Sequence, residues 1–200
     1  MPHSPDFDLY LASASPRRRE LLQQIAVSFH VIDGLQVDES LADDESPGHF
    51  VERVAAEKAQ AGERYVREQG LPLLPVLGAD TCIEIDNEIL GKPANREDGI
   101  AMLQRLSGHT HNVLTGICLL VPAEHGNRML TDISSSRVTF KELSPGEIES
   151  YWETGEPMDK AGAYAIQGLA ASFITELHGS YSGVVGLPLF EFTRLLAQAG

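Results

Sequence analysis

Positive charge is scarce in this sequence. Lys and Arg number 15 against 29 Asp and Glu, giving a formal charge of −14 over 200 residues. A chain this acidic repels DNA and RNA backbones unless its few cations gather in one place, which excludes a general nucleic-acid binder. A small anion is still accessible to a local cluster of cations. Cysteine is nearly absent. Cys82 and Cys118 lie far apart, fit no metal spacing and make no disulfide scaffold. Long apolar runs are absent too, since stretches such as Gly116–Val121 fall far short of the roughly 20 residues a bilayer crossing needs. Met1 to Phe7 carry Pro2, Pro5 and Asp6, with no basic or apolar stretch of a leader, so no export signal is expected and a cytoplasmic location is. No repeat, low-complexity segment or Pro/Gly/Ser linker divides the chain. With 42% hydrophobic and 22% charged residues, disorder is excluded as a description of the whole chain.

What is present alternates strand and helix signals from end to end, which argues an α/β fold. A strand is expected at Asp8–Ser13, then a helix opened by Ser15-Pro16 with Leu21, Leu22 and Ile25 as its apolar stripe. Phe29–Leu35 reads as a second strand and Asp38–Glu45 as an acidic loop. Ser46-Pro47 repeats the helix start, with Phe50, Val51, Val54, Ala55 and Ala59 at helical spacing and Gly70 as the stop. Leu73–Ala79 reads as a buried strand, and Cys82–Ile85 with Glu88–Leu90 as a hairpin. A helix near Asn95–Leu106, a strand at Asn112–Val121, a polar turn at Pro122–Arg128 and a strand near Ile133–Phe140 follow. Ser144 to Glu147 form a capping box for a further helix. A Gly-rich tail with a strand at Ser172–Leu177 leads to a C-terminal helix from Leu187-Pro188.

Three places invite chemistry. In Ser13-Ala14-Ser15-Pro16-Arg17-Arg18-Arg19 a strand ends in hydroxyl residues and a helix begins with three arginines. The helix dipole is already positive there, so cations suit the position only when an anion completes it. Backbone N–H groups, hydroxyls and guanidinium forks together fit a phosphate better than a solvated helix start does. Lys58 sits on the apolar stripe of the second helix, where it either snorkels to the edge or reaches into a site. Asp80 follows the apolar run Val76-Leu77-Gly78-Ala79. A carboxylate at the carboxyl end of a buried strand is a general base, a ligand for a hard cation, or a turn cap. Asp38 and Glu39 either add oxygens to the same site or solvate a loop, and for Glu39 the loop reading is preferred. Lys92 stands on the stiff turn Gly91-Lys92-Pro93. His109 and His111 are read as surface or hydrogen-bonded groups. No Walker A pattern and no G-x-G-x-x-G occurs, and Gly179–Gly183 has Tyr181 where a nucleophile elbow needs serine.

These stretches, taken in order, resemble the Maf family of nucleoside triphosphate pyrophosphatases. The resemblance rests on Leu11 to Arg18, Glu57-Lys58-Ala59, Gly78-Ala79-Asp80-Thr81, Gly91-Lys92-Pro93 and Leu106-Ser107-Gly108. Asp159 to Gly168 and Gly179 to Pro188 extend it over nearly the whole chain. It implies a single domain, residues 1–200, with two lobes around a central twisted mixed sheet and a cleft between the lobes, similar to inosine triphosphatases. It implies hydrolysis of a nucleoside triphosphate to the monophosphate and pyrophosphate with Mg²⁺ or Mn²⁺. Asp80 matches the proton acceptor. Arg17, Thr81 and Gln167 match substrate-discriminating positions, and Ser13, Arg18, Asp38, Lys58 and Lys92 match other binding positions. Asp38, with Asp80 a metal-ligand candidate, stands where a close relative would carry a glutamate one methylene longer. Ala163 to Gly168 resembles the branch acting on dTTP and UTP, modified pyrimidine nucleotides included, and a glutamine amide suits a pyrimidine imide edge. The partner expected is a nucleotide, with no nucleic-acid polymer and no membrane; a homodimer follows from the resemblance alone. The rival readings are a nucleotide-binding regulator of cell division with little catalysis, the same reaction on 7-methyl-GTP, and an acidic domain that binds a partner protein.

Overall fold

A computed structural model describes residues 6–124 and 126–199. The first five positions of the segment read for an export signal, and residue 125 of the expected 122–128 turn, lie outside the described residues. The strands are β1 (Leu9–Leu11), β2 (Phe29–Val31), β3 (Val76–Ile85), β4 (Glu88–Leu90), β5 (Thr110–Ala123), β6 (Gly126–Phe140) and β7 (Ile174–His178). The helices are α1 (Pro16–Gln24), α2 (Pro47–Glu68), α3 (Arg96–Leu106), α4 (Pro145–Glu153), α5 (Tyr181–Val185) and α6 (Leu189–Ala199). The sheet runs β2-β1-β3-β5-β6-β7, with β4 paired to β3. β1 is parallel to β2 and β3, whereas β3–β4 and β6–β7 are antiparallel, so the sheet is mixed and the α/β expectation holds. No helix among the described residues is long and apolar enough to cross a membrane.

The chain forms two compact units. The first comprises the residues up to Asp80, Thr115–Ile133 and those from Gly186 onward. Its main helix is α2. Ser46 caps it by accepting the His49 N–H at 3.3 Å, and Gly70, at φ +61°, takes the left-handed turn that ends it. Its buried face includes Val51, Val54, Ala55 and Ala59, all 0% exposed. Each fully buried valine contributes roughly 1.5–3 kcal/mol. α2 lies on β3 at unusually short range, because Gly78 has no side chain. A Cβ there would meet the Ala55 carbonyl oxygen at 2.2 Å and the Ala59 nitrogen at 2.6 Å. That approach brings Lys58, between those two alanines, to the strand that carries Asp80.

The second unit comprises Thr81–Leu114 and Ser134–Val185. Its core gathers Leu103, Leu106, Val138, Phe140, Tyr151 and Tyr164. The β3–β4 hairpin turns at Asp86 and Asn87, both at positive φ, as the Asp-Asn pair leads one to expect. The capping box at α4 is present in both directions, Ser144 with Glu147. Between Glu156 and Phe173 the Gly-rich tail winds into three short 3₁₀ turns.

Three expectations need correction. The strand read at Leu73–Ala79 starts only at Val76 and runs on through the hairpin arm Cys82–Ile85 as one strand, β3, so Asp80 lies in mid-strand and not at a strand end. The open end belongs to its neighbour. β1 pairs as far as Leu11 opposite Leu77, and the chain then leaves for α1, three residues short of Asp80. β6 begins at Gly126 and not near Ile133, because its first residues are exposed or half-buried and carry no apolar alternation.

Candidate active site

In the first unit the site is built from the chain just past β1, helices α1 and α2, and Asp80 in the middle of β3. Ser15 stands at the N-cap of α1 with extended backbone, yet its side chain caps nothing, and the first turn holds no acidic residue. Ser13 Oγ accepts the Ser15 N–H at 3.2 Å and Arg18 Nη1 at 3.1 Å. Arg18 also donates through Nε to the Gly186 carbonyl at 2.8 Å. Burial lowers the pKa of this guanidinium, and the nearby charge of Asp80 opposes that shift. Arg18 is therefore a buried strut as well as a charge. Arg17, one residue earlier, makes none of these bonds and is half-buried. Arg19 donates to the Ala14 carbonyl at 3.2 Å.

Lys58 resolves toward the site. Its Nζ lies 2.7 Å from Asp80 Oδ1 and 2.7 Å from Glu39 Oε1, with the lysine side chain only 14% exposed. Glu39 does lie on an exposed loop, its side chain 44% exposed, and from there its carboxylate reaches the shielded ammonium. Asp38, expected beside Asp80, turns elsewhere. Its Oδ1 accepts the Ser40 N–H at 2.9 Å, and bonds to Ser40 lower its pKa. Asp80 is 8% exposed, a buried carboxylate held by an ammonium.

In the second unit, Thr81 is half-buried on β3 and Lys92 is exposed after β4. The turn of Lys92 is anchored by the Gly162 N–H, which donates to the Gly91 carbonyl at 2.9 Å. Gln167 is exposed on a turn closed by the Gly168 N–H donating to the Ala165 carbonyl at 3.0 Å. A separate concavity of about 390 Å³ in the first unit is lined by Glu45, Glu52, Arg53 and Met129. Its arginine is already held by Glu45 and Glu57, so it offers an anion no spare charge.

The family model for Maf-like protein matches residues 8–199. The chain belongs to the Maf family. A relative from Alkalilimnicola ehrlichii is 58% identical over 191 residues, 95% of this chain and 92% of its own. One from Bordetella avium is 48% identical over 100% of this chain and 98% of its own. One from Dechloromonas aromatica is 49% identical over 96% and 97%. Each of these three is named dTTP/UTP pyrophosphatase.

In this Maf chain the donor set for a cation is sparse. No group of three or more His, Cys, Asp or Glu that could hold a metal ion occurs among the described residues. Asp80 and Glu39 are two carboxylates on one ammonium. A hard divalent cation that keeps its waters and binds one or two carboxylates plus substrate phosphates fits such a set; a resident all-protein cage does not. Sequence reasoning named Glu39 but preferred its loop reading, because an acidic loop carries no periodic signal.

Proposed function

We propose that this Maf-family chain hydrolyses dTTP and UTP to the monophosphate and pyrophosphate. The observation that carries the reading is Asp80, buried on β3 with its Oδ1 2.7 Å from Lys58 Nζ. Around it the first unit offers the uncapped, arginine-bearing start of α1, in a chain otherwise rich in negative charge. The names of the relatives support the choice of substrate.

Lys58 holds the Asp80 carboxylate in one orientation, so that a free oxygen lone pair faces a water. The carboxylate takes a proton from that water as its oxygen attacks the α-phosphorus. The new P–O bond forms as the bond to the β-phosphate bridging oxygen breaks, and pyrophosphate leaves with that electron pair. Arg17 and the helix dipole favour the growing negative charge. Asp80 and Glu39 are the residues that would hold a divalent cation; when bound it neutralises phosphate charge. Gln167 reads the base, its amide giving one donor and one acceptor to an imide edge. A reducing cytoplasm suits the two buried free thiols, Cys82 and Cys118.

The test is pyrophosphate release from dTTP, UTP, CTP, dATP, GTP and 7-methyl-GTP, each with Mg²⁺, Mn²⁺ or EDTA. Fast metal-dependent release from dTTP and UTP is expected. Release mainly from 7-methyl-GTP would keep the reaction and refute the role of Gln167. Binding without release from any of them would leave a regulator.

A further inference from the structure

The turn that displays Gln167 is held from behind by two residues that the reaction does not use. Glu156 follows α4, and its two carboxylate oxygens have separate tasks. Oε1 accepts the Tyr151 hydroxyl at 2.7 Å, and Oε2 accepts the Leu169 N–H at 3.0 Å. The same Tyr151 oxygen accepts the Ala165 N–H at 3.3 Å. Both shoulders of the turn, Ala165 before Gln167 and Leu169 after it, therefore hang on one Tyr–Glu pair. The Gly168 N–H closes the turn onto the Ala165 carbonyl at 3.0 Å. The fit leaves no slack. A Cβ on Gly168 would lie 2.2 Å from both carboxylate oxygens, so the carboxylate is pressed against the bare backbone. Tyr151 is 3% exposed, and burial, then its bond to Glu156, raises its pKa, which keeps the hydroxyl a donor.

Base discrimination needs such a frame. A uracil imide presents a ring N–H donor beside carbonyl acceptors, whereas cytosine presents a ring acceptor beside an amino donor. A glutamine amide rotated half a turn serves either pattern. Selection therefore depends on where the backbone sets that amide, and a displacement of about 1 Å is enough to lose it.

We propose that Glu156, with Tyr151, is a positioning residue that fixes the Gln167 turn and so sets preference for uracil and thymine over cytosine. This rests on the reading of Gln167 as the base-reading residue. Glu156 touches no reacting atom, and its effect is confined to selection.

The experiment compares kcat/KM for UTP and CTP in the wild type, Glu156→Ala, Glu156→Gln, Gln167→Ala and the Glu156→Ala/Gln167→Ala double variant. In Glu156→Ala the UTP:CTP ratio is expected to fall about tenfold. Glu156→Gln restores most of it, since the amide oxygen still accepts from Leu169 and its NH₂ donates to the Tyr151 oxygen. The double variant is expected to be no less selective than Gln167→Ala alone, because both act through one amide. Equal loss on both nucleotides in Glu156→Ala, with the ratio unchanged while Gln167→Ala collapses it, overturns the proposal and leaves Gln167 as the reader. An unchanged ratio in Gln167→Ala, with UTP still turned over, removes the reading of Gln167 and this proposal with it. Should Glu156→Ala fail to fold, Tyr151→Phe deletes a single oxygen and the same comparison applies. An unchanged ratio there is equally decisive against the proposal.

Discussion

Lys58 carries two carboxylates on one ammonium, and that pairing separates stability from chemistry at this site. Its side chain is 14% exposed and that of Asp80 12%, so the pair lies largely out of water. Removing one partner of a shielded pair strands the other charge, at a cost of about 3–5 kcal/mol. Lys58→Met is therefore expected to lower the melting temperature and turnover together. Asp80→Asn is a different change. The amide oxygen still accepts from Lys58 and the fold persists, but no carboxylate remains to take the proton. Turnover should drop about 10²–10⁴-fold with the melting temperature nearly kept. Near-normal pyrophosphate release by Asp80→Asn would remove Asp80 from the mechanism. Reading the sequence at this scale found Lys58 and Asp80 as anomalies of type and place. It left open which way the lysine turned, named Asp38 as the metal-ligand candidate and preferred the solvated loop for Glu39. Adjacent loop carboxylates differ only in what they fold against: Asp38 closes on Ser40, and Glu39 reaches Lys58.

Helix α2 is the element that delivers Lys58, and its seat on β3 depends on Gly78. A methyl at that position would face backbone atoms, the Ala55 oxygen and the Ala59 nitrogen, which cannot rotate aside. Gly78→Ala should cost about 1–3 kcal/mol as an overpacked contact. It should also lift α2 and lower kcat by drawing Lys58 away from Asp80. Gly70→Ala is the matched control. There φ is +61° and an added methyl would meet no atom within 4 Å, so the change should cost about 1 kcal/mol and leave kcat alone. Equal kcat in both variants, measured beside their melting temperatures, would break the link between helix seat and site. The helix starts were legible because Ser-Pro caps and the capping box are local chemistry, settled within four residues. Strand lengths were not. The end of a strand is decided by its neighbours, so β3 ran on through Asp80 and β6 began in residues with no apolar pattern. The 3₁₀ turns around Gln167 were equally silent, since what holds them is a carboxylate reaching back from Glu156.

Across the whole molecule, the pH dependence of stability should carry the signature of one buried histidine. His111 is 2% exposed; its Nε2 pairs with the Tyr164 hydroxyl at 2.8 Å, and its Nδ1 has no partner among the described residues. The ring packs edge-on against Phe140 with centroids 5.2 Å apart. Burial lowers its pKa from 6.5 to about 4. The folded state thus holds the ring neutral where the unfolded chain has already taken a proton. Stability from this group is complete above pH 6.5, is lost as pH falls toward 4, and declines no further below that. The span corresponds to about 3 kcal/mol. The many carboxylates titrate in the same range, so the wild-type curve alone does not isolate it. His111→Gln does, because an amide still meets the Tyr164 hydroxyl and does not titrate. Urea unfolding at pH 7, 6, 5 and 4 should show the wild type losing about 3 kcal/mol relative to His111→Gln across that series. A constant difference at every pH would mean that the ring titrates alike in the folded and the unfolded chain, so that burial does not hold it neutral.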